Sequence, residues 1–165
     1  MKTLIILLLC LPLAAPAFAL ESDREKPIEI QADFAEIDDT NGVATYRGNV
    51  TVAQGTLHII ADEVEIRSKE KAVTRIIASS DAPDKRLATY QQLPDGSEMV
   101  TAKAARIVYV VEKELLQLIG QASLSQPSDR AFAGDTINYD VARGVVNAES
   151  DGTKRVTSTF VPKKK

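Results

Sequence analysis

Few side chains in this sequence are equipped for chemistry, and those that are stand apart from one another. His58 is the sole histidine and Cys10 the sole cysteine of 165 residues. His58 alternates with Leu57 and Ile59, which points it outward from a strand. An imidazole there, with no Cys, Ser or second His beside it, reads as a solvated side chain rather than a base. A zinc site needs three or four suitable ligands, and no such set can be assembled. The acidic pairs Asp38-Asp39 and Asp62-Glu63 suggest acid–base work or calcium. Yet both recur beside turns, where carboxylates accept hydrogen bonds from backbone at a corner. Gly42, Gly48, Gly55, Gly120 and Gly134 are not a phosphate loop, since none lies between a strand and a helix. The expectation is a protein that is not an enzyme and takes no metal or cofactor.

The elements that carry these residues are strands. A short pattern returns four times, as Ala32-Asp33-Phe34-Ala35-Glu36-Ile37, Ala61-Asp62-Glu63-Val64-Glu65-Ile66, Ala102-Lys103-Ala104-Ala105-Arg106-Ile107 and Gly134-Asp135-Thr136-Ile137-Asn138-Tyr139. Each alternates with period two, and in each the inward parity slips by one residue. Ile59 and Ala61 are odd, for example, while Val64 and Ile66 are even. Both halves then share one face only if a bulge or corner absorbs the extra residue. Corners are expected near Asp33, Asp62, Lys103 and Asp135. Asp38 to Gly42, Arg67 to Lys71, Asp81 to Lys85 and Pro94 to Ser97 read as turns, and no window shows helical periodicity. The fold class is all-β.

Composition places the chain outside the cytoplasm. Lys2, the apolar run Leu4 to Leu13 and Ala17-Phe18-Ala19 form a signal peptide over residues 1–19, with a mature chain from about Leu20. That run is too short for a membrane anchor. Removing 19 residues from 165 leaves 146, enough for one domain, with 19 Lys and Arg against 23 Asp and Glu. A mildly acidic chain is no nucleic-acid binder, because phosphate binding requires clustered cations. A mature chain without cysteine relies on sheet hydrogen bonds and apolar burial, and the leader fits a bacterial periplasm. Residues 20–26 read as a flexible segment, 27–162 as the domain and 163–165 as a basic tail.

A larger repeat overlies the small one. Gly48-Asn49-Val50-Thr51-Val52-Ala53-Gln54 aligns with Gly120-Gln121-Ala122-Ser123-Leu124-Ser125-Gln126, 72 residues on. Inward positions are mostly Val, Ile, Leu and Ala, an interior suited to alkyl chains. The block Tyr46 to Asp62, the block Leu118 to Gln126 and Gly134-Asp135-Thr136-Ile137 resemble the OstA-like family of periplasmic lipopolysaccharide transport proteins. So do the opening Pro27-Ile28-Glu29-Ile30 and the closing Lys154-Arg155-Val156-Thr157. Gln121 stands where the family usually has Asn.

The resemblance implies a partly open, twisted β jelly roll carrying lipopolysaccharide from inner to outer membrane. It implies that Ile28, Tyr90, Tyr109 and Val111 line an apolar groove for the lipid A acyl chains. It also implies head-to-tail homo-oligomers through edge strands holding Ile28 and Ile30 at one end and Val156, Thr157 and Phe160 at the other. Such a bridge would dock on inner-membrane-anchored and outer-membrane partners of the same fold. Read without the family, the four groove residues would simply fill a closed core. Two other readings compete: another OstA-fold component of the same export route, and a solenoid enzyme acting on polysaccharide.

Overall fold

The computed structural model describes residues 23–80, 87–93, 99–126, 130–153 and 155–161. The signal peptide, the Asp81 to Lys85 and Pro94 to Ser97 turns and the basic tail lie outside the described residues. Twelve strands pair antiparallel throughout: β1 Glu29–Gln31, β2 Phe34–Asp38, β3 Val43–Gln54, β4 Leu57–Lys69, β5 Ala72–Ser79, β6 Ala88–Gln92, β7 Val100–Ala104, β8 Arg106–Val110, β9 Leu115–Gln126, β10 Arg130–Asp140, β11 Val145–Glu149 and β12 Thr157–Phe160. One 3₁₀ turn, Asp23–Glu25, precedes them.

Four long strands, β3, β4, β9 and β10, serve two layers. In the first layer the order is β1-β3-β4-β6-β7-β9-β10-β12, and in the second β2-β3-β4-β5-β8-β9-β10-β11. The strands pass from one layer to the other where the parity slips. Between Arg47 and Val50 the β3–β4 register shifts, two residues of β3 facing one of β4. The extra residue sits at Gly48-Asn49, both left-handed with φ of 78° and 46°. Its counterpart is Gly120-Gln121, φ 76° and 50°, opposite Asp135. Bulges with a leading glycine bend a strand this way without Cβ strain. The 72-residue duplication is therefore structural.

The third corner differs from expectation. β7 runs through Lys103 to Ala104 and breaks at Ala105, whose N–H donates to the Gly120 carbonyl at 2.8 Å. Asp33 makes the equivalent bond to Gly48 at 3.0 Å. Asp33 and Ala105 are thus the matching pair, at the same 72-residue spacing as the bulges.

Neighbouring turns are closed by carboxylates. Asp38 accepts from the Asn41 N–H and side-chain amide at 3.0 and 2.6 Å, and Asp140 accepts from Arg143. These bonds hold both carboxyls below their ordinary pKa. Asp38 of the Asp38-Asp39 pair is accounted for by turn closure.

Candidate functional site

The space between the layers is the feature this fold creates. Val50, Val52, Leu57, Ile59 and Leu124 face it from the first layer. Val64, Ile76, Ile107, Leu116, Leu118 and Ile137 face it from the second, and all are buried. They belong to one continuous cluster. Alternation puts every other residue inside, so sheet pairing and apolar burial specify the same register.

Tyr90 of β6 and Tyr109 of β8 approach from opposite layers, ring centroids 5.9 Å apart and tilted at 56°. Both are buried, Tyr90 wholly. Burial in apolar surroundings raises the Tyr90 hydroxyl far above its ordinary pKa, so it stays a neutral donor, and it donates to Gln92 Oε1. Ile28 and Val111 are half-buried and join the same cluster from its margin. Val111 is held by its N–H to the Thr74 carbonyl at 3.1 Å. Two of the four residues singled out from the sequence therefore meet directly, and the other two pack against the same cluster at its edge. His58 is exposed. No group of three or more His, Cys, Asp or Glu side chains that could hold a metal occurs among the described residues.

The two ends of the layers are open ladders. Among the described residues β1 and β2 pair only with β3, while β11 and β12 pair only with β10. Ile30 lies within β1 opposite Val52, and Thr157 within β12 opposite Ala133. Phe160 is 61 % exposed and meets Phe132 edge-on at 6.0 Å, while Val156 stands just before its strand. Sequence reasoning missed that each end has a second edge, β2 and β11, with Phe34, Ile37 and Val145 exposed on them. The period-two pattern puts Ala35 and Ile37 on an inward face, whereas every residue of β2 is exposed.

Residues 20–26, expected to be flexible, include a fastened turn. Asp23 accepts from the Thr56 N–H at 2.8 Å, the Thr56 hydroxyl at 2.6 Å and the Gln92 amide at 2.9 Å. Gln54 reaches the Lys26 carbonyl at 3.1 Å.

A two-layer antiparallel β jelly roll, aliphatic inside and unpaired at both ends, defines a structural class before any comparison. Residues 29–145 match the family described as LptA/(LptD N-terminal domain) LPS transport protein. The chain belongs to that family. It is 39 % identical over 143 residues to the lipopolysaccharide export system protein LptH of Pseudomonas aeruginosa, covering 86 % of this chain and 79 % of that one. It is 36 % identical over 148 residues to LptA of Escherichia coli K12, covering 89 % and 77 %. The crystal structure of LptH, the periplasmic LptA homologue of the P. aeruginosa lipopolysaccharide transport device, superposes with a TM-score of 0.76 at 33 % identity. That match covers 86 % of this chain and all of LptH's.

Proposed function

We propose that this chain is a periplasmic carrier of lipopolysaccharide that holds acyl chains between its two layers and stacks head to tail into a bridge. The observation that carries the reading is the continuous aliphatic interior inside a member of this transport family. Each CH₂ removed from water contributes roughly 0.8 kcal/mol, so several acyl chains exposed together would cost tens of kcal/mol. An apolar trough removes that barrier without any covalent step, and aliphatic walls impose no directional bonds on a sliding chain. No catalysis is needed. Entry requires the layers to part at the Tyr90–Tyr109 contact, with Ile28 and Val111 at the margins of the opening. The relatives compared are LptA and LptH rather than the larger LptD, which favours the bridging component over another OstA-fold member of the route.

A photo-crosslinking residue at Tyr109 or Val111 should capture lipopolysaccharide, and one at the exposed Lys69 should not. Equal capture at all three positions would mean surface adhesion and would end the groove reading.

A further inference from the structure

The lip of the first layer carries a feature that alkyl burial does not explain. Gln54, at the end of β3, faces Leu57 of β4. The β4–β6 register carried one step past His58↔Gln91 sets Leu57 opposite Gln92. Gln92 pairs with Val100 of β7, and the β7–β9 register carried one step past Thr101↔Ser125 sets Val100 opposite Gln126. Directly opposed residues share a face. The lip is therefore one row, Gln54, Leu57, Gln92, Val100 and Gln126, with an amide on every second strand. At roughly 4.8 Å per strand the amides recur about every 10 Å along the stacking axis.

These amides point inward. Gln54 and Gln126 are only 6 % and 4 % exposed, and Gln92 takes the Tyr90 hydroxyl from inside. Two of the three already hold oxygen acceptors from the 23–26 segment: Gln92 donates to the Asp23 carboxylate and Gln54 to the Lys26 carbonyl. The third has an opening. Gln126 Oε1 is buried with no hydrogen-bond partner among the described residues. Buried acceptors are almost always satisfied, because leaving one unmade forfeits its bond to water. An acceptor left open where an apolar interior begins calls for a donor at the head of an apolar chain.

We propose that Gln54, Gln92 and Gln126 form a row of hydrogen-bonding stations for the amide and hydroxyl groups at the head of acyl chains. The row holds the polar–apolar boundary of the lipid at the lip while its tails lie between the layers. The proposal rests on the interior as the acyl site. In the free protein the 23–26 segment occupies two stations, with a carboxylate and a peptide carbonyl where the lipid's own carbonyls would bond.

Two amphiphiles of equal chain length test it, used below their micelle concentrations: N-decanoyl-glucosamine, with an amide at the chain head, and decyl glucoside, without one. The full mature chain should bind the amide-linked probe about three- to tenfold more tightly, the worth of one added hydrogen bond. Gln126→Met should abolish that preference. Gln92→Met is a second variant should the first not fold. Equal affinity of the unaltered protein for both probes, or an unchanged preference in the variants, would overturn the row while leaving the interior reading intact. If neither probe bound and Tyr109 captured no lipopolysaccharide, the interior reading would fail and the row with it.

Discussion

Truncating Phe160 should break the stack without unfolding the domain. Its side chain is 61 % exposed at the end of the first layer. Of a buried aromatic area of about 200 Å², about 120 Å² is therefore available to a neighbouring copy. At about 25 cal/mol per Å² its burial contributes about 3 kcal/mol to a junction, or about a hundredfold in the stacking constant. Within its own chain Phe160 makes the edge-on contact to Phe132 at 6.0 Å, worth about 1 kcal/mol. Phe160→Ala should thus cost the monomer a few degrees of melting temperature while the association constant falls about a hundredfold by sedimentation equilibrium. The same logic applies to Phe34, 51 % exposed at the opposite end. Head-to-tail stacking makes a sharper claim for mixtures. Phe160→Ala and Phe34→Ala proteins should each stay monomeric alone yet form dimers together, because one intact junction is restored and none can follow it. A Phe160→Ala protein that assembles like the original would refute the argument. So would a mixture that assembles no better than its parts.

Three further outcomes follow from the fold. Gly48→Ala should destabilise by about 1–3 kcal/mol, because φ is +78° and the new Cβ meets the Asp33 carboxylate. Gly144→Ala, with φ +66° and nothing within 4 Å, should cost only the left-handed penalty of about 1 kcal/mol, and urea titration ranks the two. Leu118→Ala, at a fully buried position, should cost about 2–5 kcal/mol by the same measurement. Burial raises the Asp23 pKa, but hydrogen bonds from the Thr56 side chain and backbone and from Gln92 outweigh it, leaving it below the ordinary carboxylate value. A depressed folded pKa contributes stability above the unfolded value that is lost as pH falls through the folded one. Stability should therefore drop more steeply below about pH 4 in the original protein than in Asp23→Asn, and parallel acid titrations would contradict the clamp.

How far the sequence foretold this structure depends on where the partners lie. The corners at Asp62 and Asp135 were legible because large apolar residues on both sides of them mark the change of parity, but that the bulged residues are Gly48-Asn49 and Gly120-Gln121 on the partner strands was not. The third corner was misplaced by two residues because Ala102-Lys103-Ala104-Ala105 offers no large side chain to mark it. Gln54 and Gln126 stood in the aligned blocks, but a polar residue at an inward position is indistinguishable from a strand end until its neighbours are known. The Asp23 clamp was invisible for a different reason. Its partners Thr56 and Gln92 lie 33 and 69 residues away, and only the folded register of β3, β4 and β6 brings them together.

The ladders also fix how one copy can follow another. From β1 to β12 the first layer takes seven steps, every one antiparallel, and the second takes seven from β2 to β11. An odd number of reversals leaves the two edge strands of each layer antiparallel to one another. A copy moved along the proposed stacking axis would therefore present an edge that continues the alternation, in both layers at once. Register follows from the lip. The β1–β3 pairing carried one step past Glu29↔Ala53 sets Ile28 opposite Gln54, and Arg130, opposite Gln126, pairs with Phe160. If the lips stay flush, Phe160 of one copy faces Ile28 of the next at a Cα separation of about 5 Å, within disulfide reach. Cys10 is the sole cysteine of the sequence, so a chain produced from Leu20 onward carries none to interfere. In the same register Ser158 faces Ile30, so a protein carrying both Ile30→Cys and Ser158→Cys, with Phe160 intact, should form a ladder of covalent oligomers on mild oxidation. The pair Ile28→Cys and Thr157→Cys, offset by three residues or about 10 Å along the strand, should not. Equal ladders from both pairs, or a ladder from the second alone, would show that the copies do not meet lip to lip.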